Sequence, residues 1–414
     1  MKCSSERKQK IYLIVVFGLI SCALYGIGAG IRSNVGIILT PMAKQCVLQY
    51  NDVSFCVAVM QLVFGASQPF FGILAARKSN RIVLLSGVGL LACSMIGIML
   101  ARSFIVLMLS LGILFGLGCG AISFGLVLTS SIHFIGAENS MTISGMLNAA
   151  SGMFGFVLAP IIQRLLSLGG LKLVLSFLIA VFLVLIPLSF MVTSKDPKQK
   201  AVAPSGSEKE PLPFRTAFKN RTYRLLLAGF STCGFHMVII ESHLFSQYVS
   251  YGIAETAASW AFSFYGIATI VGALLSGFLS TRLNKGKLLA FYYGFRAVWV
   301  ALYLFVLPKT VVTALIFSVG LGLTGDATVS PTSGLVNEQF DLKQVATLIG
   351  LLFLVHQIGA FFSAWLGGIF VNQTGSYKLI WLVDIALCVF ASIMSASISV
   401  ECHRSRSIME EKGC

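Results

Sequence analysis

Apolar runs about twenty residues long recur from one end of this chain to the other, and that recurrence limits the fold more than any motif. The first run covers Ile11 to Ile31, the last ends near Val400, and the stretches between runs are short. A helix rising 1.5 Å per residue needs about 20 mainly apolar residues to cross the hydrocarbon core of a bilayer. Charged residues make up 11% of the chain, against about 25% in a soluble domain. That is too few to cover a water-facing surface, so the chain reads as an all-helical integral membrane protein. The first run is too long for a signal h-region and lacks a small-residue cleavage site, so it is expected to be the first span.

The basic residues set the topology. Lys2, Arg7, Lys8 and Lys10 precede the first run, and Arg77, Lys78 and Arg81 follow the second. Lys195, Lys198, Lys200, Lys209, Arg215, Lys219, Arg221 and Arg224 cluster in the centre. Arg282, Lys285 and Lys287 follow the eighth run, and Arg404, Arg406 and Lys412 end the chain. The alternate loops carry only Lys44, Arg102, Arg164, Lys172, Lys309 and Lys378. This asymmetry is the positive-inside rule. It predicts cytoplasmic termini, a cytoplasmic centre and an even number of spans. It also accounts for the net charge of +15, so no nucleic-acid partner is expected.

Twelve helices are predicted, near 11–31, 52–75, 82–100, 104–131, 141–166, 171–193, 223–250, 257–280, 288–307, 311–335, 344–370 and 377–400. The stretch 194–221 is rich in Pro, Lys, Ser and Glu and reads as a flexible cytoplasmic linker. The expected organisation is a tail over 1–10, a six-helix bundle over 11–193, that linker, a second bundle over 222–400 and a tail over 401–414.

The two halves repeat. Gly72-Ile-Leu-Ala-Ala-Arg77 recurs as Gly277-Phe-Leu-Ser-Thr-Arg282, 205 residues on. Gly120 and Gly325 share that offset, as do Thr142-Ile-Ser-Gly145 and Thr347-Leu-Ile-Gly350, and Gly170 and Gly375. Four ordered matches at one offset argue for a duplicated six-helix unit. The ten cysteines are scattered, with no C-x-x-C and no His–Cys cluster at metal-ligand spacing. No metal site, no cofactor and no enzymatic activity are expected. There is no G-x-x-x-x-G-K-[ST] phosphate loop, which disfavours an ATP-driven pump.

Two six-helix halves joined by a cytoplasmic linker resemble the major facilitator transporters, whose halves are parallel repeats. GILAARKSNR at 72–81 is similar to that family's loop between its second and third helices, and STRLNKGK at 280–287 is similar to its echo. Gly72, Arg77, Arg81, Gly277 and Arg282 are the matching positions of this conformational motif. Ala76 stands where the family has an aspartate, and Ser79 where it has a glycine. GIRSNVGIILTPM at 30–42, CGFHMVIIESHLFSQYVSYGI at 233–253 and TLIGLLFLVHQIGAFFSAWLGG at 347–368 resemble a bacterial branch related to monocarboxylate porters and oxalate–formate antiporters. The acidic, aromatic-rich start of the first helix seen in the animal monocarboxylate carriers is absent here. So is their Asp-x-x-x-Arg pair, for which Tyr292-x-x-x-Arg296 is the nearest match. The resemblance implies the twelve-helix facilitator fold in pseudo-twofold repeat, alternating access, a monomer and a prokaryotic plasma membrane. It further implies a cavity lined by helices 1, 2, 4, 5, 7, 8, 10 and 11.

Ionisable side chains inside spans cost about 2.5–3.5 kcal/mol at the bilayer centre, so they point to sites. His356 and Gln357 fall near the middle of the eleventh run, inside LLFLVHQIGAF. Helix 7 carries His236, His243 and Gln247 on one face, with Glu241 about 140° round from His236 at 100° per residue. Asp326 lies in GLTGDATVSP of helix 10 and Arg296 near the middle of helix 9. Arg296 is expected either to receive a substrate carboxylate or to pair with Asp326 or Asp384. Arg32 is expected at the outer end of helix 1, attracting anions or snorkelling to headgroups. Asn148, Tyr265 and Gln61 are further candidates for lining a cavity.

These residues point to secondary transport of a small organic anion, a monocarboxylate being the first expectation, by proton symport or exchange against a counter-anion. His356, Gln357, His236, His243, Arg296, Arg32, Asn148, Tyr265 and Gln61 are the candidate substrate contacts. Glu241, Asp326 and His356 are the candidate proton carriers. Efflux of amphipathic drugs or metabolites is the rival reading within transport, and a transporter-like sensor is the rival outside it.

Overall fold

The computed structural model describes residues 2–136, 140–194, 214–340 and 342–411, and nearly all of them are helical. Eleven helices are long and apolar enough to cross a membrane. One of them, Thr142–Val192, runs for 51 residues, and non-helical angles at Gly169 and Gly170 break the helix that contains it, Ser140–Val192. The break makes two passes of it, so the described residues form twelve.

We number these passes α1 to α12. α1 comprises Lys2–Ser33 and its continuation Val35–Cys46, α2 is Tyr50–Arg77 and α3 is Asn80–Leu100. α4 runs from Phe104 to Ile135 in four pieces, and α5 and α6 share Ser140–Val192. α7 is Arg221–Ile239 continued through Ile240–Leu244 to Phe245–Ser250, α8 is Glu255–Arg282 and α9 is Lys285–Phe305. α10 comprises Val311–Thr324, Asp326–Thr328 and Val329–Gln339, α11 is Leu342–Thr374 and α12 is Lys378–Glu411. The chain divides into two compact units, 1–205 and 206–414.

Within each unit the packing repeats. In the first, α1 lies on α5 where Gly26 faces Phe154, and α2 lies on α4 where Gly116 faces Met60 and Val63. In the second, α7 lies on α11 and α8 on α10 by equally close approaches. A Cβ on Gly359 would overlap the carbonyl of Ser231, and one on Gly272 the carbonyl of Leu323. α9 pairs with α12 along their length. Small residues at helix crossings let backbones meet, which is how helices associate where lipid removes the hydrophobic drive.

The helix irregularities repeat as well. α4 loses its regularity at Ile122, and α10 does so at Gly325, within three residues of the 205-residue offset. Gly170 and Gly375, which share that offset, both turn with φ 65°. The left-handed turn after α1 falls on Val47, φ 53°, and that after α7 on Gly252, φ 82°, again 205 residues apart. Both turns close with the same reach, Leu48 N–H to Ala43 O at 3.0 Å and Ile253 N–H to Tyr248 O at 3.2 Å. That six-to-one bond is the Schellman pattern.

Several expected bounds need correcting. The first helix begins at Lys2 and the last runs to Glu411, into both expected tails, and Phe214–Lys219 within the expected linker is helical. α1 does not stop at Ile31; after an interruption at Asn34 it continues to Cys46. Asn34 makes the interruption locally: its Nδ2 donates to Gly30 O at 2.7 Å and to Gly155 O of α5 at 3.1 Å. A short amide side chain competing for backbone groups breaks a helix without ending the pass. Arg32 therefore sits partway along α1 rather than at its outer end.

Candidate functional site

In the first unit a small open cleft is lined by Tyr25, Gly28, Ala29 and Arg32 of α1, Phe64 of α2, and Cys119 and Ile122 of α4. The local breaks build it. Asn34 interrupts α1 two residues beyond Arg32, and α4 loosens at Ile122. Arg32 Nη1 donates to Gln61 Oε1 at 3.1 Å, and its guanidinium lies 5.1 Å from the centre of the Phe64 ring. Gln61 is fully buried and Arg32 only partly so. The rest of the lining is largely apolar, and the guanidinium is its one formally charged group. A planar fork of donors held beside an aromatic wall suits a carboxylate.

In the second unit the polar groups lie inside the bundle. His236 Nδ1 and Asp384 Oδ2 are 2.8 Å apart, and both residues are 0% exposed. Cys388, one turn along α12, brings its thiol to 3.8 Å from Asp384 Oδ1. Cys233, one turn before His236 on α7, has its thiol 3.1 Å from the Thr328 hydroxyl. Trp381 Nε1 donates to Gln247 Oε1 at 2.6 Å, and Gln247 Nε2 donates to Tyr251 OH at 2.9 Å. His243 Nε2 lies 3.2 Å from Ala364 O of α11. The face of α7 that carries His236, His243 and Gln247 thus meets α11 and α12.

Arg296, 0% exposed, forms a salt bridge with neither Asp326 nor Asp384 among the described residues. Its Nη2 donates instead to the carbonyls of Thr324 and, at 2.8 Å, Gly325. Those carbonyls lie where α10 changes from an α-helix to a 3₁₀ turn, so the guanidinium serves acceptors released from the helical ladder. Its ring neighbour is Tyr293, 5.3 Å from Arg296 Cζ to the ring centre. Tyr265, buried on α8, donates to Met237 Sδ at 3.4 Å and lies within electrostatic reach of Asp326, Glu241 and Arg296.

Glu241 is 4% exposed in the π-helical turn Ile240–Leu244 of α7. A π-turn inserts a residue into the helical count, so the 100° rule does not carry across it. Asp326 is half-buried in the break of α10. His356 is half-buried on α11, with its ring 5.0 Å from that of Phe230. Gln357 is buried, and its Oε1 makes no hydrogen bond. Asn148 is exposed on α5. In the loop motif Arg77, Arg81 and Arg282 are exposed, with Arg81 over Phe190 and Arg282 over Phe278.

The structure therefore gathers Arg32 with Gln61, and Tyr265 with Asp326, Glu241 and Arg296. Sequence reasoning passed over Tyr25, Phe64, Trp381 and Cys388 and named Asp384 only as a partner for Arg296. Asp384, an acid inside the last apolar run, carried a signal; the others look like ordinary span residues. His236, Asp384 and Cys388 form a group with metal-ligand chemistry that spacing along the chain does not reveal, because His236 and Asp384 are 148 residues apart.

Twelve apolar passes in two repeated halves define a multi-pass membrane protein. The chain belongs to the Major Facilitator Superfamily, whose family model matches residues 18–250 and 244–401. It is 24% identical over 408 residues to the uncharacterized MFS-type transporter YcxA of Bacillus subtilis, covering 93% of this chain and 94% of that protein. It is 23% identical to monocarboxylate transporter 12-B of Danio rerio, over 80% of this chain and 76% of the relative, and so is related to the monocarboxylate porters. The crystal structure of the nucleoside transporter NupG superposes with a TM-score of 0.75 at 13% identity, covering 93% of this chain and 99% of that one. That likeness shows the fold.

Proposed function

We propose that this protein carries a small organic anion, first of all a monocarboxylate, across the cell membrane by alternating access. The observation that carries the reading is Arg32, steadied by Gln61 and facing an otherwise mostly apolar pocket. The relationship to the monocarboxylate transporters supports the substrate class. Glu241, Asp326 and His356 are the groups we assign to proton coupling, with exchange against a second anion as the alternative driving force. The asymmetry of basic loops supports cytoplasmic termini and linker, and the bacterial relative supports a prokaryotic plasma membrane.

The test is uptake of labelled lactate, pyruvate, formate and oxalate into proteoliposomes, with and without an inward proton gradient. Gradient-stimulated uptake of at least one acid is expected. Arg32→Gln should lower it at least about tenfold, the scale of one charge-assisted bond, and Arg32→Lys should retain part. Flux of none of the acids under either condition would sink the anion reading.

A further inference from the structure

We infer that His236, Asp384 and Cys388 form a binding site for a borderline-soft divalent cation of the zinc type, between α7 and α12. The site is separate from the Arg32 pocket, and the inference does not rest on the proposed substrate.

Three observations carry it. The first is geometry. A ring nitrogen of His236, a carboxylate oxygen of Asp384 and the Cys388 sulfur all lie within 4.8 Å of one another. Asp384 and Cys388 stand at i and i+4 of one helix and so share a face. Around a tetrahedral zinc ion with bonds of about 2.0–2.3 Å, ligand atoms stand about 3.3–3.7 Å apart. Closing on the ion takes about 1 Å of movement by the widest pair, within reach of side-chain rotation.

The second is ligand chemistry. Imidazole, carboxylate and thiolate are the three ligand types zinc accepts, and three protein ligands leave a fourth position open. Binding releases the Cys388 thiol proton and leaves the imidazole neutral, with its one proton on the nitrogen that does not ligate. Cation, thiolate and carboxylate then sum to zero charge with a neutral imidazole. A neutral centre is what a bundle interior tolerates best.

The third is a set of buried nitrogens without hydrogen-bond partners. Arg296 Nε and Nη1 are buried and make no hydrogen bond, and His236 Nε2 makes none either. Arg296 lies within electrostatic reach of the Cys388 thiol.

The test uses the full-length protein in detergent, stripped with chelator and titrated with Co²⁺ as an optical stand-in for Zn²⁺. One Co²⁺ per chain is expected, with a near-ultraviolet thiolate-to-cobalt charge-transfer band that added Zn²⁺ erases. Cys388→Ser should remove the band while the protein stays monodisperse on size exclusion. Cys93→Ser, which alters an exposed free thiol in the other half, should leave it unchanged. Asp384→Asn should weaken Co²⁺ binding about tenfold or more, at least the loss expected for an outer-shell ligand. No charge-transfer band in the unaltered protein would overturn the inference and leave a His–Asp pair alone. A band that persists in Cys388→Ser would place the metal on another cysteine and overturn it equally.

Discussion

The two halves of this protein share a backbone plan and differ in what they bury. At the 205-residue offset His236 corresponds to Ile31, Asp384 to Ile179 and Arg296 to Leu91. The second half thus buries three ionisable side chains where the first has aliphatic ones, Ile31 and Leu91 buried and Ile179 half-buried. The relation inverts at the pocket. Arg32 corresponds to Met237 and Gln61 to Gly266, so the first half offers a cation where the second offers a thioether. Duplication fixed which helices pack and where they break. The chemistry inside that frame diverged site by site, because a side chain can change polarity at constant backbone if its new neighbours satisfy it.

That comparison can be broken at its strongest point. His236→Ala leaves Asp384 buried beside an empty position, at a cost of about 3–5 kcal/mol. The double change His236→Ile with Asp384→Ile restores the residues of the first half. It is expected to melt in detergent well above the single variant and close to the unaltered protein. A double variant no more stable than the single one would mean that the pair is not the unit that differs between halves.

A smaller effect tests the shared helix crossings. In the first half α1 supplies the small residue, Gly26, against Phe154 of α5; in the second, α11 supplies Gly359 against the Ser231 backbone of α7. Gly26 and Phe154 correspond to Ser231 and Gly359, so the small partner has changed sides. Gly359→Ala should push α7 and α11 apart and cost about 1–3 kcal/mol, read as a lower melting temperature. Phe154→Gly would not repay a similar loss at Gly26, since it opens a cavity instead.

The smallest effect sharpens the comparison at the turns after α1 and α7. Val47 adopts a left-handed conformation that its counterpart Gly252 holds without strain. A left-handed residue other than glycine costs about 1–2 kcal/mol. Val47 is 92% exposed, so Val47→Gly removes strain without removing packing. It should raise the melting temperature slightly, and Gly252→Val should lower it. Equal and opposite shifts would confirm that the two turns are one motif.

Much of the frame was legible in the sequence because it rests on local, periodic or repeated signals. Apolar runs gave the solvent and the passes, and the offset between Gly170 and Gly375 anticipated two turns with the same φ. The misplaced end of α1 was recoverable the same way. The predicted span 223–250, shifted back by 205 residues, runs to residue 45, which is where α1 ends and Ile31 is not. The apolar stretch after Asn34 is interrupted by Pro41, Lys44 and Gln45, so a search for unbroken hydrophobicity stopped early. The candidate sites were less legible. Arg32 could be named, but its partners Gln61 and Phe64 sit a helix away, and whether it faced a pocket or headgroups depended on the Asn34 break. The face of α7 could be drawn only up to the π-turn at Ile240, since a π-turn leaves no mark in hydrophobic spacing.

By itself the sequence determined that this chain crosses a membrane about twelve times, as two copies of one unit, with its cations biased to one side. Those properties follow from composition and from periods along the chain. Only the tertiary structure decided that Arg296 would serve two backbone carbonyls of α10 rather than an aspartate, and that His236 would meet Asp384 from 148 residues away. Such meetings depend on how far each helix is rotated about its own axis. That rotation is set by contacts with neighbouring helices, which no period within a single helix encodes.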